Sequence, residues 1–206
     1  MIVKPFCSLL VLAMLAGCQP SAPEPAAPAA AIETAAVTPE RLEALKSQVM
    51  TLVKADEDCA LPDFMEQERT AEAVDLGGGD AGVVVICSTG RADQWSRVYV
   101  SEDGGGPVHV LLPLYQYQDA EGWQTWDSMS NMGWTDERTF AGSTRMQATG
   151  CAEGASWRWD GTRLVLAEQW HMDCDAITED GELPDPIRDF PTTPPTEQPA
   201  VIAPQV

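Results

Sequence analysis

Residues 151–174 read CAEGASWRWDGTRLVLAEQWHMDC, two apolar-alternating runs joined by Asp160-Gly161 and closed at each end by a cysteine. Aspartate followed by glycine between two such runs predicts a two-residue hairpin, because a type I′ turn needs positive φ at both central positions. This turn would place Trp159 opposite Thr162 and Trp157 opposite Leu164. One face then carries Trp157, Trp159, Leu164 and Leu166, and the other carries Ser156, Arg158 and Arg163. The pattern predicts a structural hairpin without a catalytic motif.

The N-terminal residues have the pattern of an export signal. The short apolar run over residues 6–16 follows Lys4 and is too short to span a bilayer. It ends in Leu15-Ala-Gly-Cys18, which resembles the lipobox of bacterial lipoproteins. The resemblance implies removal of residues 1–17, a lipid on the Cys18 sulfur and, because Gln19 is not aspartate, a location on the outer membrane facing the periplasm. The alternative is an ordinary cleaved signal with a chance cysteine.

The cysteine count agrees with an oxidising compartment. The six cysteines are Cys7, Cys18, Cys59, Cys87, Cys151 and Cys174. Removal of the signal and lipidation leave four, an even number that permits three pairings. Neighbour pairing, Cys59–Cys87 and Cys151–Cys174, suits the hairpin best because its turn brings the two ends together.

The remaining chain divides into three parts. Residues 18–37 form a Pro/Ala-rich tether behind the lipidated cysteine. Residues 38–183 form a single folded domain that begins with an amphipathic helix, signalled by Thr38 as N-cap and Pro39 at the first helical position. Residues 184–206 hold seven prolines and are expected to be disordered.

The folded part is predicted to be mainly β, a β-sandwich or barrel-like set of antiparallel sheets with one N-terminal helix. Its short apolar runs are separated by glycine-rich turns, as is typical of such folds. Among these runs, residues 83–87 read as a strand buried on both faces.

Residues 59–175 resemble a domain family of unknown function found in exported Gram-negative proteins. The shared features are the Gly150-Cys151 step, the Trp-x-Trp-Asp-Gly turn that starts at Trp157, the closing Cys174, and an apolar strand that leads into Cys87. The chain departs from that family at residues 149–152, where Gly-Asp-Cys-Gly is usual, and at residues 91–95. The resemblance implies two disulfides and a β-rich fold, and it carries no activity.

The charge balance limits the possible partners. The chain has 12 basic and 32 acidic residues, a net charge of −20, so binding to nucleic acid is excluded by repulsion from the phosphates. A basic envelope protein is a partner that this charge favours, and the lipid provides contact with the membrane. The acidic surface has a simpler explanation too, since it keeps a tethered protein soluble.

The sequence offers little chemistry for catalysis. His109 lies in a predicted strand, and His171 lies near two aspartates and Cys174, whose disulfide would leave too few ligands for zinc. No cofactor or metal is therefore expected. Most of the seven tryptophans should be core, but Trp123 and Trp126 lie in the least periodic region and are the candidates for an exposed binding platform.

Three functions fit these observations. The leading hypothesis is a lipid-anchored, non-enzymatic periplasmic domain that binds an unknown partner. The first alternative is an inhibitor of a basic cell-wall hydrolase such as a lysozyme, because acidity would steer a basic target. The second alternative is a carboxylate-dependent glycan hydrolase that uses Trp123 and Trp126 as its sugar platform.

Overall fold

The computed structural model describes residues 36–200 except 60, 67–68, 90–92, 117–121, 137, 146–148, 179 and 193–194. The chain divides into two compact units, residues 1–33 and 34–206, and all described residues belong to the second. The predicted signal, the lipidation site at Cys18 and the tether up to residue 35 lie outside the described residues. None of the helices within the described residues is long and apolar enough to cross a membrane.

The described residues form two helices and twelve strands. The helices are α1 (Pro39–Lys54) and the single-turn α2 (Asp63–Glu66), with 3-10 turns at Glu57–Cys59 and Cys174–Ala176. The strands are β1 (Ala71–Gly77), β2 (Asp80–Thr89), β3 (Gln94–Ser101), β4 (Val108–Val110), β5 (Leu112–Gln116), β6 (Gly122–Trp126), β7 (Met129–Ser130), β8 (Gly133–Trp134), β9 (Thr139–Arg145), β10 (Ala152–Trp159), β11 (Leu164–His171) and β12 (Ile187–Phe190).

These strands form three antiparallel sheets. The first sheet has the order β1-β2-β3-β4, with β7 paired to β3, and the second has the order β12-β11-β10-β9-β8. β5 and β6 form a two-stranded sheet of their own. The mainly β class with one leading helix is thus confirmed, and the packing is that of a sandwich with an extra two-stranded sheet.

Helix α1 covers one face of the first sheet. The Thr38 hydroxyl accepts a hydrogen bond from the Arg41 amide and Pro39 begins the first turn, as the sequence predicts. Leu45, Val49 and Val53 are buried against the strands β1 and β2. Amphipathic spacing therefore gives the helix its packing face.

Strand β2 is buried on both faces, as predicted. Val83 and Val85 belong to the cluster beneath the helix, whereas Val84 belongs to the cluster between the sheets. Alternate side chains of a strand point to opposite faces, so the first sheet is the central layer of a helix–sheet–sheet arrangement.

Both predicted disulfides are confirmed. Cys59 pairs with Cys87 at a Cα–Cα distance of 4.3 Å, and Cys151 pairs with Cys174 at 5.7 Å. The first lies inside the core beneath the helix, and the second joins the start of β10 to the turn after β11.

The β10–β11 hairpin has the predicted inner face but not the predicted turn. Trp157, Trp159, Leu164 and Leu166 are all buried. The connection, however, has four residues, since Trp159 pairs with Leu164 and Trp157 with Leu166, and a bulge follows Ser156. Arg163 consequently lies in the turn instead of facing outward from a strand.

Asp160 explains the wider turn. Its carboxylate accepts hydrogen bonds from the amides of Thr162 at 2.9 Å and Arg163 at 3.0 Å, and from the Thr162 hydroxyl. Gly161 has φ +105°, the one positive φ that this connection contains. A side chain that bonds the backbone two and three residues onward replaces the type I′ geometry.

The predicted disorder of residues 184–206 is wrong for part of that segment. Residues 187–190 form β12, which pairs with β11 through Trp170–Arg188 and Gln169–Phe190. The prolines flank these four residues and leave their amides free to enter a ladder. Farther on, the Gln198 side chain accepts from the Leu166 amide and donates to the Leu164 carbonyl. Residues 201–206 lie outside the described residues.

Candidate functional site

A cavity of about 290 Å³ lies where the β5–β6 sheet meets β10 and β11; we call it the tryptophan cavity. Its lining comes from residues 114–116 of β5, Gln124 and Trp126 of β6, Met129 of β7, residues 153–155 of β10, and Gln169 and Trp170 of β11. Aromatic rings, amide groups and one carboxylate thus meet in a single concave site. Such a mixture is typical of ligand sites in proteins.

Gln169 of β11 connects the second sheet to the β5–β6 sheet at the cavity. Its amide oxygen accepts from the Tyr115 amide at 2.9 Å, and its nitrogen donates to the Tyr115 carbonyl at 2.7 Å. The side chain is buried, and its amide bonds the backbone N–H and C=O of Tyr115 as a paired strand residue would. A buried amide that is bonded through both its oxygen and its nitrogen holds its surroundings in one arrangement, so this contact fixes the position of the cavity wall.

The Trp170 ring rests on a glycine. A Cβ built on Gly154, its cross-strand neighbour, would lie only 2.7 Å from Cζ2 of the indole. Any larger residue at position 154 would displace the ring, so glycine admits the indole close to the backbone of β10. Trp170 is half-buried in this position. Because the neighbouring Gln169 directs its side chain to β5, the Trp170 indole lies on the opposite face of the second sheet from Gln169 and Glu153.

Glu153 provides the carboxylate of the lining. It is half-buried and pairs across the ladder with His171. Within the described residues it makes no ion pair. A half-buried carboxylate without an ion-pair partner among the described residues therefore belongs to the cavity lining.

His171 contacts a second carboxylate. Its Nδ1 lies 2.8 Å from Oδ1 of Asp189, whose side chain on β12 is 4 % exposed. Burial raises the pKa of Asp189, and the hydrogen bond with His171 offsets this only in part. The other oxygen, Oδ2, is buried without a hydrogen-bond partner among the described residues. Strand β12 thus places a buried carboxyl group beside His171, the cross-strand neighbour of Glu153.

Aromatic rings of β5, β6 and β12 pack against one another next to the cavity. The Tyr115 ring contacts Trp123 edge-on at 5.6 Å, and Trp123 contacts Phe190 of β12 edge-on at 5.3 Å. The two tryptophans of the predicted platform therefore differ in position. Trp126 belongs to the cavity lining, whereas Trp123 packs against Tyr115 and Phe190. Both are half-buried rather than exposed. Their role in binding stays a prediction.

A second cavity, of about 300 Å³, shares Ala155 and Trp170 with the first. It also contains Glu168 of β11, whose carboxylate forms an ion pair with Arg188 of β12 at 2.8 Å. The two cavities therefore share lining residues but differ in charge, because Glu168 has a counter-ion and Glu153 has none within the described residues.

The histidines contribute no metal site within the described part of the chain, where no three His, Cys, Asp or Glu side chains cluster. Cys174, which the sequence places near His171, is oxidised in its disulfide. The His109 ring bonds the Asp127 carbonyl through Nε2 and packs at a tilt against Tyr99.

Sequence reasoning missed Trp170 and Glu153. Trp170 carried a usable signal, since a tryptophan opposite a glycine in a hairpin indicates a ring lying on the backbone. Reading that signal required the correct register, which the assumed two-residue turn did not provide.

A family model described as Protein of unknown function (DUF1176) matches residues 14–187. No curated protein and no solved structure matches the chain.

Proposed function

The chain belongs to the family described as Protein of unknown function (DUF1176), and we propose from its own geometry that it is a non-enzymatic binding domain whose ligand lies in the tryptophan cavity. The observation that carries this proposal is the lining itself. Trp126 and Leu114 supply apolar surface, while Glu153 and the glutamines supply polar contacts. Such sites bind by burying the apolar part of a ligand and orienting it with a few polar groups.

The composition of the lining supports binding over catalysis. Glycoside hydrolysis ordinarily uses two carboxyl groups on opposite sides of the scissile bond. The described lining contains one carboxylate, Glu153, and the carboxylate of the adjoining cavity, Glu168, is held by Arg188. Release of sugars from labelled peptidoglycan by the purified protein would contradict the non-enzymatic part of the proposal.

The binding part is tested by a thermal-shift screen of saccharides, peptides and amines. A ligand that binds only the folded protein raises the melting temperature by mass action. Every ligand found should lose its effect in Trp126→Ala and keep it in Trp95→Ala, which removes another half-buried tryptophan that lies outside the cavity. Ligands that stabilise both variants equally would place the binding site elsewhere.

The proposal includes attachment to the outer membrane through a lipid on Cys18, which the lipobox-like residues 15–18 support. Two or more acyl chains give stable anchoring, at about 0.8 kcal/mol for each buried methylene. Cys18→Ser should therefore move the protein from the membrane fraction to the soluble fraction. Sedimentation of this variant with outer membranes in high salt would contradict the lipid anchor.

A further inference from the structure

We infer that the ligand of the tryptophan cavity carries an organic ammonium group, held beside the Glu153 carboxylate and the indole of Trp126. This inference rests on the function proposed above and names the chemical class of its ligand. Its basis is a difference between two carboxylates of one hairpin, together with the presence of Trp126 in the same cavity lining as one of them.

Glu153 and Glu168 differ in their counter-charges. Arg188 lies 2.8 Å from Glu168, whereas the described residues offer Glu153 no ion pair. A neutral ligand that filled the cavity would strip water from Glu153 without replacing it by a counter-charge, which is unfavourable. A cationic ligand supplies the missing charge, and the net charge of −20 attracts it over long range.

The Trp126 indole favours an organic cation over a metal ion as the ligand of this cavity. Tryptophan is the best of the aromatic side chains at attracting an ammonium group to its ring, and such rings bind quaternary ammonium ligands. Calcium, in contrast, takes six to eight oxygen ligands. The described residues contain no cluster of three or more acidic, histidine or cysteine side chains that would provide them.

The size of the cavity sets the size of the bound group. A water occupies roughly 30 Å³ in the liquid, so about 290 Å³ has room for on the order of ten non-hydrogen atoms. A choline or a short alkyl diamine fits this volume. A methylated and a primary ammonium share the required charge, and the experiment separates them.

The test is calorimetric titration of the purified full chain with choline, with cadaverine and with N-acetylglucosamine as the neutral control. We expect one of the two ammonium compounds to bind, and N-acetylglucosamine not to bind. Glu153→Gln should weaken the binding at least tenfold, or about 1.4 kcal/mol. Glu168→Gln, which removes the paired carboxylate of the same hairpin, should leave it within about twofold, and Glu153→Asp should retain part of it.

Three outcomes overturn the inference. Equal binding by wild type and Glu153→Gln would show that this carboxylate does not select the ligand, provided that melting curves show both proteins folded. Binding of N-acetylglucosamine through Trp126, without ammonium binding, would reject the inference and leave the proposed binding function intact. Absence of binding by all three compounds, together with a thermal-shift screen that finds no ligand, would reject both.

Discussion

The two sides of the first sheet are built from different kinds of residue. On the side of helix α1 the buried cluster is aliphatic apart from the Tyr99 ring and the Cys59–Cys87 disulfide. On the other side the sheet meets aromatic rings, with Phe140, Trp157 and Trp159 almost fully buried. The tryptophan cavity borders this aromatic side, whose cluster also includes Leu114 and Ala155 of its lining.

This difference separates structural packing from the candidate site. Branched aliphatic side chains interdigitate closely and need no polar partner, and the buried Arg69 beside Cys59 is paired with Glu66. Indoles are larger and each carries an N–H that needs an acceptor. The Trp157 indole donates to the Pro113 carbonyl at 2.7 Å and Trp159 donates to Asp80 at 3.0 Å. Polar groups and open space therefore occur together on the aromatic side.

The largest effect should come from removing an aromatic anchor. Trp157 is fully buried, stacks on Phe140 with centroids 5.3 Å apart, and joins the second sheet to β5 through its indole N–H. Trp157→Ala should lower the free energy of unfolding by roughly 3–5 kcal/mol, measured by chemical denaturation. Melting like the wild type would mean that this indole is not the anchor of the aromatic side.

The two disulfides allow a direct comparison of the two sides. Their sequence separations, 28 and 23, are similar, so the chain-entropy model predicts nearly equal contributions of about 3 kcal/mol. Replacing Cys59 and Cys87 by alanine should cost more than replacing Cys151 and Cys174, because the first pair is buried in the aliphatic core and Cys174 is only half-buried. Denaturant titrations of the two double variants give the two losses in unfolding free energy. A larger loss for the Cys151–Cys174 variant would contradict the view that burial in the aliphatic core adds to the contribution of the Cys59–Cys87 disulfide.

A smaller effect is expected at the turn of the β10–β11 hairpin. Burial acts to raise the pKa of Asp160, but the hydrogen bonds from Thr162 and Arg163 outweigh it and hold the pKa below its ordinary value. A lowered pKa in the folded state adds stability above the unfolded pKa, and this stability is lost as the pH falls through the folded pKa. Asp160→Asn should therefore cost about 1 kcal/mol at pH 7.

The pH dependence is the control for this variant. The difference in unfolding free energy between wild type and Asp160→Asn should shrink as the pH falls below about 4, where the unfolded state becomes protonated, and should be lost below the lowered pKa of the folded state. A difference that stays constant down to acidic pH would assign the cost to the change of shape rather than to the charge.

Much of the fold was predictable because period-two alternation needs only local sequence. It assigned Trp157 and Leu166 correctly to the inner face, and the apolar run of β2 correctly to a strand buried on both sides. The helix start at Thr38 followed from local capping chemistry. The cysteine number allowed three pairings, and the hairpin that joins residues 151 and 174 favoured the neighbour pairing that the structure has.

The rest depended on contacts between residues distant in sequence. The side chain of Asp160 sets the register of the hairpin, in which Trp159 pairs with Leu164 and not with Thr162. This shift of two residues keeps the inner face but changes the cross-strand neighbours. Strand β12 exists because β11 offers it an edge, a condition that the proline content of the tail does not reveal. The cavity joins residues from β5, β6, β10 and β11, so no single segment carries its pattern.

The central claim, that the aromatic side holds the ligand site, is tested most directly by indole N–H resonances. Each of the seven tryptophans gives one such signal, and single Trp→Phe variants assign them. On titration with a ligand from the thermal-shift screen, we predict that the signal of Trp126 shifts with the affinity of the ligand. Those of Trp157 and Trp159, whose N–H groups are bound inside the core, should stay in place. Shifts confined to Trp95, on β3 and outside the cavity lining, with Trp126 unchanged, would contradict the claim.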